Sequence, residues 1–237
     1  MLCIGHRGAM GYAPENTLES VKKALELNTP WIEVDVQFVD NHLIVFHDDR
    51  LERTTNGTGY LLDRAFSYLR SLDAGGGQQI PTLEEVLELV AGRAGINIEI
   101  KNPGATAPVV KLIQKKIGRH WDLSRFMVSS FFHREIKKVK ALDDRILTGA
   151  LIAGIPIDET AFAHELGAYS VNQSREFINH SFVRDAHRRG LQVFVYTVDI
   201  FEDIQRMQQL GVDGVFCNYP DRVLSFLKAT SDQEAIF

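Results

Sequence analysis

Trp31-Ile-Glu33-Val-Asp35-Val36 and, further along, Ile96-Asn97-Ile-Glu99-Ile-Lys101 decide how this chain folds. Strands of a parallel sheet covered on both sides read as unbroken apolar runs. These two alternate instead. Glu33 and Asp35 share one face, and so do Asn97, Glu99 and Lys101. The isoleucines and valines must face covering helices, where apolar burial is available, so the carboxylates point into the mouth of a closed sheet. Either strand alone would also suit a half-solvated antiparallel strand with a polar face. Two of them, with Lys101 alongside, favour the closed sheet. Three carboxylates crowded there cannot all stay ionised without a compensating cation.

Working outward, short apolar runs recur with helical patterns between them. Strands are predicted at Leu2–Gly5, Trp31–Val36, His42–Phe46, Ile96–Ile100, Phe126–Ser130, Ile146–Ala150, Ala168–Val171, Gln192–Tyr196 and Asp213–Phe216. Helices fill most gaps. Asn16 with Glu19 reads as a capping box ahead of Leu18, Val21 and Leu25, and Thr82 with Glu85 as a second. A helix over Ile178–Arg189 ends in basic residues with Gly190 beyond. Nine strands are one too many for an eight-fold barrel. Asp40-Asn41, however, is a two-residue turn between Trp31–Val39 and His42–Phe46, so this pair must be an antiparallel hairpin. The remainder predicts a single-domain α/β fold over residues 1–237, a (β/α)₈ TIM-type barrel with a β-hairpin after strand 2; a doubly wound open sheet is the structural rival. Residues about 48–81, with Thr54-Thr55-Asn56-Gly57-Thr58-Gly59 and Gly75-Gly76-Gly77, look too polar and glycine-rich for core. They read as a short insertion over the carboxyl end of the barrel. The tail 229–237 reads as weakly ordered.

The 237 residues carry a net charge of −5, which gives no general attraction for nucleic acid or an anionic membrane. Any phosphate must be held by a local site. Cys3 and Cys217, each within an apolar run, read as buried free thiols. Neither a signal peptide nor a membrane-spanning stretch is visible, so the expected location is the cytoplasm, with no stable membrane anchor. A homo-oligomer is left open.

The carboxylate cluster calls for a hard divalent ion held by oxygen, Mg²⁺ or Ca²⁺, and no Cys/His group has zinc-ligand spacing. His6 directly follows the first strand, and His47 ends the returning hairpin arm beside Glu33 and Asp35. Two histidines at the carboxyl end of a barrel, flanking a metal, suit paired acid and base work. Arg7 and Lys101 are the cations placed to hold a phosphate, against the plainer reading of salt-bridge partners.

Ile4-Gly-His-Arg-Gly8, Pro14-Glu-Asn-Thr17, Ile32-Glu-Val-Asp-Val36, Val45-Phe-His-Asp48, Leu51-Glu-Arg-Thr-Thr55 and Ile98-Glu-Ile-Lys101 resemble, in order, the signature of the glycerophosphodiester phosphodiesterase family. Weaker likenesses continue through Leu72-Asp-Ala-Gly75, Ser129-Ser-Phe131 and Gly211-Val-Asp-Gly-Val215. The resemblance implies a TIM-type barrel with Glu33, Asp35 and Glu99 on the metal, His6 and His47 catalytic, and Arg7 and Lys101 on the phosphate. It also places Glu15 and Asn16 in a loop supporting the site, with helix capping as an equal reading for Asn16. Phe131 and Tyr196 fall at the alcohol pocket. Three positions depart from the family's pattern: Tyr196 for a usual tryptophan, Asn218 for aspartate, and Phe132 for a small polar residue. All lie at strand ends, where they bear on head-group preference.

The implied reaction is hydrolysis of small-molecule glycerophosphodiesters, such as glycerophosphocholine or glycerophosphoethanolamine, to sn-glycerol 3-phosphate and an alcohol. A lysophospholipase D or phospholipase C-like enzyme on the same barrel would need an apolar rim or an anchor. A non-catalytic phosphate-ligand binder would have no use for two titrating histidines. An enolase-like proton abstractor would explain the carboxylates but neither histidine.

Overall fold

The structure, a computed structural model, describes residues 1–118 and 120–234. Its strands are β1 (Leu2–Gly5), β2 (Trp31–Val39), β3 (His42–Val45), β4 (Gly95–Ile100), β5 (Phe126–Ser130), β6 (Leu147–Ile152), β7 (Ser170–Ser174), β8 (Gln192–Tyr196) and β9 (Gly214–Cys217). All except β3 run parallel, and β1 pairs with both β2 and β9, which closes the sheet into an eight-stranded barrel. The helices are α1 (Leu18–Glu26), α2 (Phe66–Ser71), α3 (Leu83–Val90), α4 (Thr106–Lys116), α5 (His133–Leu142), α6 (Ala161–Glu165), α7 (His180–Arg188), α8 (Phe201–Leu210) and α9 (Pro220–Glu234). Among the described residues, no helix is long and apolar enough to cross a membrane.

The hairpin forms as the sequence predicts. Asp40 and Asn41 both take positive φ, 47° and 61°, as a tight two-residue turn requires. β3 adds to β2 for a reason of length. β1 pairs only with Trp31 and Ile32, so the later part of that β2 edge is left for β3 to pair with Val36–Val39.

Alternation divides each strand between two apolar layers. Outward residues such as Ile32, Val34, Ile96 and Ile98 pack beneath the helices with Val21, Leu87 and Val109. Inside the barrel, Ile4, Met127, Phe194 and Phe216 form a separate plug. Each lies two residues before a polar or aromatic residue on the same face: His6, Ser129, Tyr196 and Asn218. The plug thus fills the barrel's lower half and leaves polar side chains at the carboxyl-terminal mouth.

Three expectations need correction. The sixth barrel strand, β7, is Ser170–Ser174, not Ala168–Val171. Ala168 instead closes the turn after α6, its N–H donating to Ala163 O at 3.1 Å, and the inward Asn172 and Ser174 hide the strand's apolar rhythm. Helix α1 is capped by Thr17, whose side chain accepts from Ser20 N, so the Asn16–Glu19 capping box does not form. The insertion has a core of its own: Leu51, Leu61, Leu69 and Ile80 are fully or almost fully buried together with Ile44 and Phe46 of the hairpin. Its apolar residues are divided among the short helix α2, a single turn at Leu61–Asp63 and connecting loops, with no sustained period, which is why composition alone made it look like open loop. Helix α9 runs to Glu234, and residues 235–237 of the tail lie outside the described residues.

Candidate active site

Neighbouring strands β2 and β4 are in register, with Asp35 opposite Glu99 and Glu33 opposite Asn97. Ligand atoms of Glu33, Asp35 and Glu99 consequently lie within 4.8 Å of one another, and all three residues are buried. The loop after β1 serves this cluster. Arg7 and Gly8 take positive φ, 51° and 87°, which turns the Arg7 N–H onto Glu33 Oε2 at 2.8 Å. Position 8 must be glycine, because a Cβ there would sit 2.2 Å from Ser20 Oγ. Asn16, also left-handed at φ 58°, donates from Nδ2 to Asp35 Oδ2 at 2.8 Å and accepts the Asp35 N–H at 3.2 Å. Its role is to hold a carboxylate, which leaves the capping to Thr17.

The cations are shared among the carboxylates. Lys101 Nζ lies 2.9 Å from Glu99 Oε1 and 3.7 Å from Asp35 Oδ1. The Arg7 guanidinium contacts Glu15 at 2.6 Å and Asp35 at 3.2 Å. Three carboxylates facing two cations leave one net negative charge in a buried place. Burial, reinforced by Asp35 and Glu99, pushes Glu33 well above the usual carboxylate range. Burial and Asp35 likewise raise Glu99 to about 7, against the pull of Lys101. Glu33 Oε1 has no hydrogen-bond partner although it is buried. An orphaned carboxylate oxygen among hard oxygen donors fits a divalent cation. Such an ion would reverse the net charge to one positive, matched to the single negative charge of a phosphodiester.

The histidines have contrasting partners. His6 Nδ1 lies 2.8 Å from Asn218 Oδ1, a neutral amide oxygen. Burial, with Arg7 adding repulsion, lowers the His6 pKa to about 4. His47 Nδ1 lies 2.5 Å from Asp48 Oδ1. Hydrogen bonding from Arg53 leads the influences that hold Asp48 at about 2, keeping it a carboxylate. Arg53 also bridges to Glu15 at 2.7 Å, so one chain of contacts joins His47 through Asp48, Arg53, Glu15 and Arg7 to Asp35.

These groups surround a pocket of about 230 Å³. His6, Arg7, Glu33, His47, Glu99 and Lys101 form its polar wall, and Phe131, Leu151, Tyr196 and Phe216 line it opposite. Tyr196 donates its hydroxyl to Ile152 O at 2.8 Å, and burial raises its pKa, so it presents a ring rather than an acid. That ring meets Phe131 edge-on at 6.0 Å. A wider hollow of about 540 Å³ over Pro14, Arg53 and Asn56 contains neither histidine and none of the three carboxylates. The chemistry is concentrated in the smaller pocket.

Of the candidate site residues, His6, Arg7, Glu33, His47, Glu99, Lys101, Phe131 and Tyr196 line this pocket, and Glu15, Asp35 and Asn16 stand behind it, Glu15 and Asp35 on Arg7 and Asn16 on Asp35. The sequence reading gave no role to Asp48, Arg53, Asp199, Leu151 or Phe216. The first two stood in quoted motifs, beside His47 and after Leu51-Glu52, and a carboxylate adjacent to a candidate histidine was the available signal.

Known proteins resemble this chain over nearly its whole length. The model of the glycerophosphoryl diester phosphodiesterase family matches residues 6–222. A glycerophosphodiester phosphodiesterase of Caldanaerobacter subterraneus subsp. tengcongensis is 34% identical, over 96% of this chain and 98% of its own. One from Bacillus subtilis is 33% identical over 93% of this chain and 84% of its own. Among solved structures, an Oleispira antarctica phosphodiesterase in complex with the product sn-glycerol-3-phosphate superposes with a TM-score of 0.88 at 29% identity, covering 96% of this chain and 97% of that one.

Proposed function

Because the chain belongs to the glycerophosphoryl diester phosphodiesterase family and is a glycerophosphodiester phosphodiesterase, we propose that the pocket of about 230 Å³ cleaves substrates such as glycerophosphocholine and glycerophosphoethanolamine by a two-histidine, metal-dependent route. The products are sn-glycerol 3-phosphate and the free alcohol. The observation that carries this reading is the placement of His6 and His47 on one pocket with different partners, an amide and a carboxylate.

Phosphodiester cleavage needs a base for the attacking oxygen and an acid for the departing alkoxide. His6, kept neutral by burial, accepts the proton of the attacking hydroxyl at Nε2. His47 bonds Asp48 through Nδ1, which leaves Nε2 to deliver a proton to the leaving oxygen. Arg7 and Lys101 offset negative charge on the phosphate. Glu33, Asp35 and Glu99 would hold Mg²⁺ or Ca²⁺, which when bound polarises the phosphoryl oxygens. Glycerol's own 2-hydroxyl lies next to the phosphorus and serves as the nucleophile, giving a cyclic phosphate that water opens; direct attack by water is the competing route.

An apolar rim favours a second reading. Phe131, Phe132, Ile155, Ile157, Ile200 and Phe201 are exposed; the first five lie on the loops after β5, β6 and β8, and Phe201 is the first residue of α8. Such a rim suits an acyl chain lying across the entrance, as in a lysophospholipid cleaved in the manner of a lysophospholipase D. Phosphorus NMR on a panel of glycerophosphodiesters and lysolipids tests both. Release of glycerol 3-phosphate supports the first reading. Selective turnover of lysolipids to lysophosphatidic acid replaces it with the second, and turnover of neither overturns both.

A further inference from the structure

We propose that Asp199 and Asn218 act as a positioning pair that locks the His6 ring with its proton on Nδ1, so that Nε2 is the bare nitrogen presented to substrate. The three residues follow three neighbouring strands: Asp199 lies beyond β8, Asn218 beyond β9 and His6 beyond β1. They therefore form a row along one arc of the barrel mouth.

An asparagine beside a histidine is ambiguous by itself. Turned one way it accepts from an imidazole N–H; flipped, it donates to the same nitrogen and forces the opposite tautomer. Asp199 removes the ambiguity. Its Oδ2 takes the Asn218 side-chain N–H at 2.7 Å, and its Oδ1 takes the Asn218 backbone N–H at 2.6 Å. A carboxylate can only accept, so the amide nitrogen is bound to face Asp199 and the amide oxygen to face His6. Asn218 Oδ1 then meets His6 Nδ1 at 2.8 Å, which requires the hydrogen to be on Nδ1.

The surrounding backbone keeps this row in place. His6 N–H donates to Cys217 O at 2.9 Å, Gly11 N–H donates to Asn218 O at 3.0 Å, and Arg222 donates to the Asp199 carbonyl at 3.2 Å. The arrangement also sets the electrostatics of the ring. Asn218 stands where the family's pattern has aspartate, so the carboxylate is displaced one hydrogen bond away from His6. A neutral amide fixes orientation without the attraction for an imidazolium that a carboxylate in contact would exert. His47, in direct contact with Asp48, has the opposite arrangement.

The proposal takes from the preceding reading that His6 is the general base, but its test does not depend on activity. Long-range proton–nitrogen correlation spectra of the labelled full-length protein report which ring nitrogen carries hydrogen. Wild-type His6 should show Nδ1 protonated and Nε2 bare. Asn218→Leu removes the acceptor, and Asp199→Leu frees the amide to flip. Both should give mixed tautomers, and kcat should fall by roughly 10²-fold in Asn218→Leu with KM nearly constant. Asn218→Asp restores an acceptor and should recover both the tautomer and most of kcat, with the acid limb of the pH profile moved upward. A wild-type ring protonated on Nε2, or an unchanged tautomer in both leucine variants, overturns the proposal. A locked tautomer alongside a fully active His6→Ala enzyme instead overturns the catalytic reading of His6 and leaves the positioning pair standing.

Discussion

Arg7 satisfies only half of Glu33: its backbone N–H donates to Oε2 at 2.8 Å, while Oε1 of the same carboxylate is buried with no partner. An arginine backbone, rather than its guanidinium, orients the ligand, and the second oxygen is left for a cation. Chelation should therefore abolish turnover, and Mg²⁺ or Ca²⁺ should restore it. Glu33→Gln should lower metal affinity, measured by calorimetry, while the circular dichroism spectrum stays native. Asn16→Ala, which removes the amide donor from Asp35 Oδ2 and leaves Arg7 on it, should cost roughly 10–100-fold in metal affinity. Full activity in a verified metal-free sample would remove the basis for assigning the carboxylates to a metal.

The raised Glu99 makes metal binding pH-dependent. A carboxyl whose pKa rises from 4.5 to about 7 on folding binds its proton more tightly in the fold than in the unfolded chain. Its contribution to metal-free stability is therefore fully present below 4.5 and is lost as pH rises through about 7. Metal binding must displace this proton, so affinity should fall by roughly tenfold for each pH unit below that value. Melting curves with and without metal should accordingly separate more at about pH 8 than at about pH 5. Equal separation at both ends would show that Glu99 does not titrate in this range.

Lys101 tests the line between structural and catalytic cations. Its ammonium is 2.9 Å from Glu99 and lines the pocket. Lys101→Met should lower kcat/KM by about 10²–10³-fold, the loss of one charged donor in a water-poor site. If the rate is retained, Lys101 serves the carboxylates alone.

The two histidines separate by leaving group. A p-nitrophenolate needs little protonation, so His47→Ala should lose much less rate on a p-nitrophenyl diester than on glycerophosphocholine. His6→Ala should lose about 10²–10⁴-fold on both. The opposite pattern assigns the roles in reverse. A substrate without the 2-hydroxyl should scarcely turn over if the nucleophile is internal; substantial cleavage shows direct attack by water.

The insertion is a folded part of the site. Leu51 is fully buried in its small core, just before Arg53, which holds Asp48 and Glu15. Leu51→Ala should destabilise the protein by about 2–5 kcal/mol. It should also loosen His47, seen as a kcat loss with metal affinity preserved. A stability loss with unaltered kcat would show that the insertion does not position Asp48.

The alternation at Glu33, Asp35 and Glu99, the Asp40-Asn41 turn and the strand-end positions of His6 and His47 were legible in the sequence, because inward and outward facing is a local consequence of strand geometry. That local rule fixed the barrel, the hairpin and the identity of the polar wall. It could not say that Asp35 lies beside Glu99, since this depends on the register of β2 against β4. It could not choose between Asn16 as cap and Asn16 as carboxylate partner, because both uses begin from the same short loop. The irregular apolar residues of the insertion likewise became a core only when the hairpin supplied Ile44 and Phe46. The protonation chemistry was the least visible. Asp199, Asn218 and His6 are far apart in the chain, and only closure of β9 onto β1 brings their hydrogen bonds into one row.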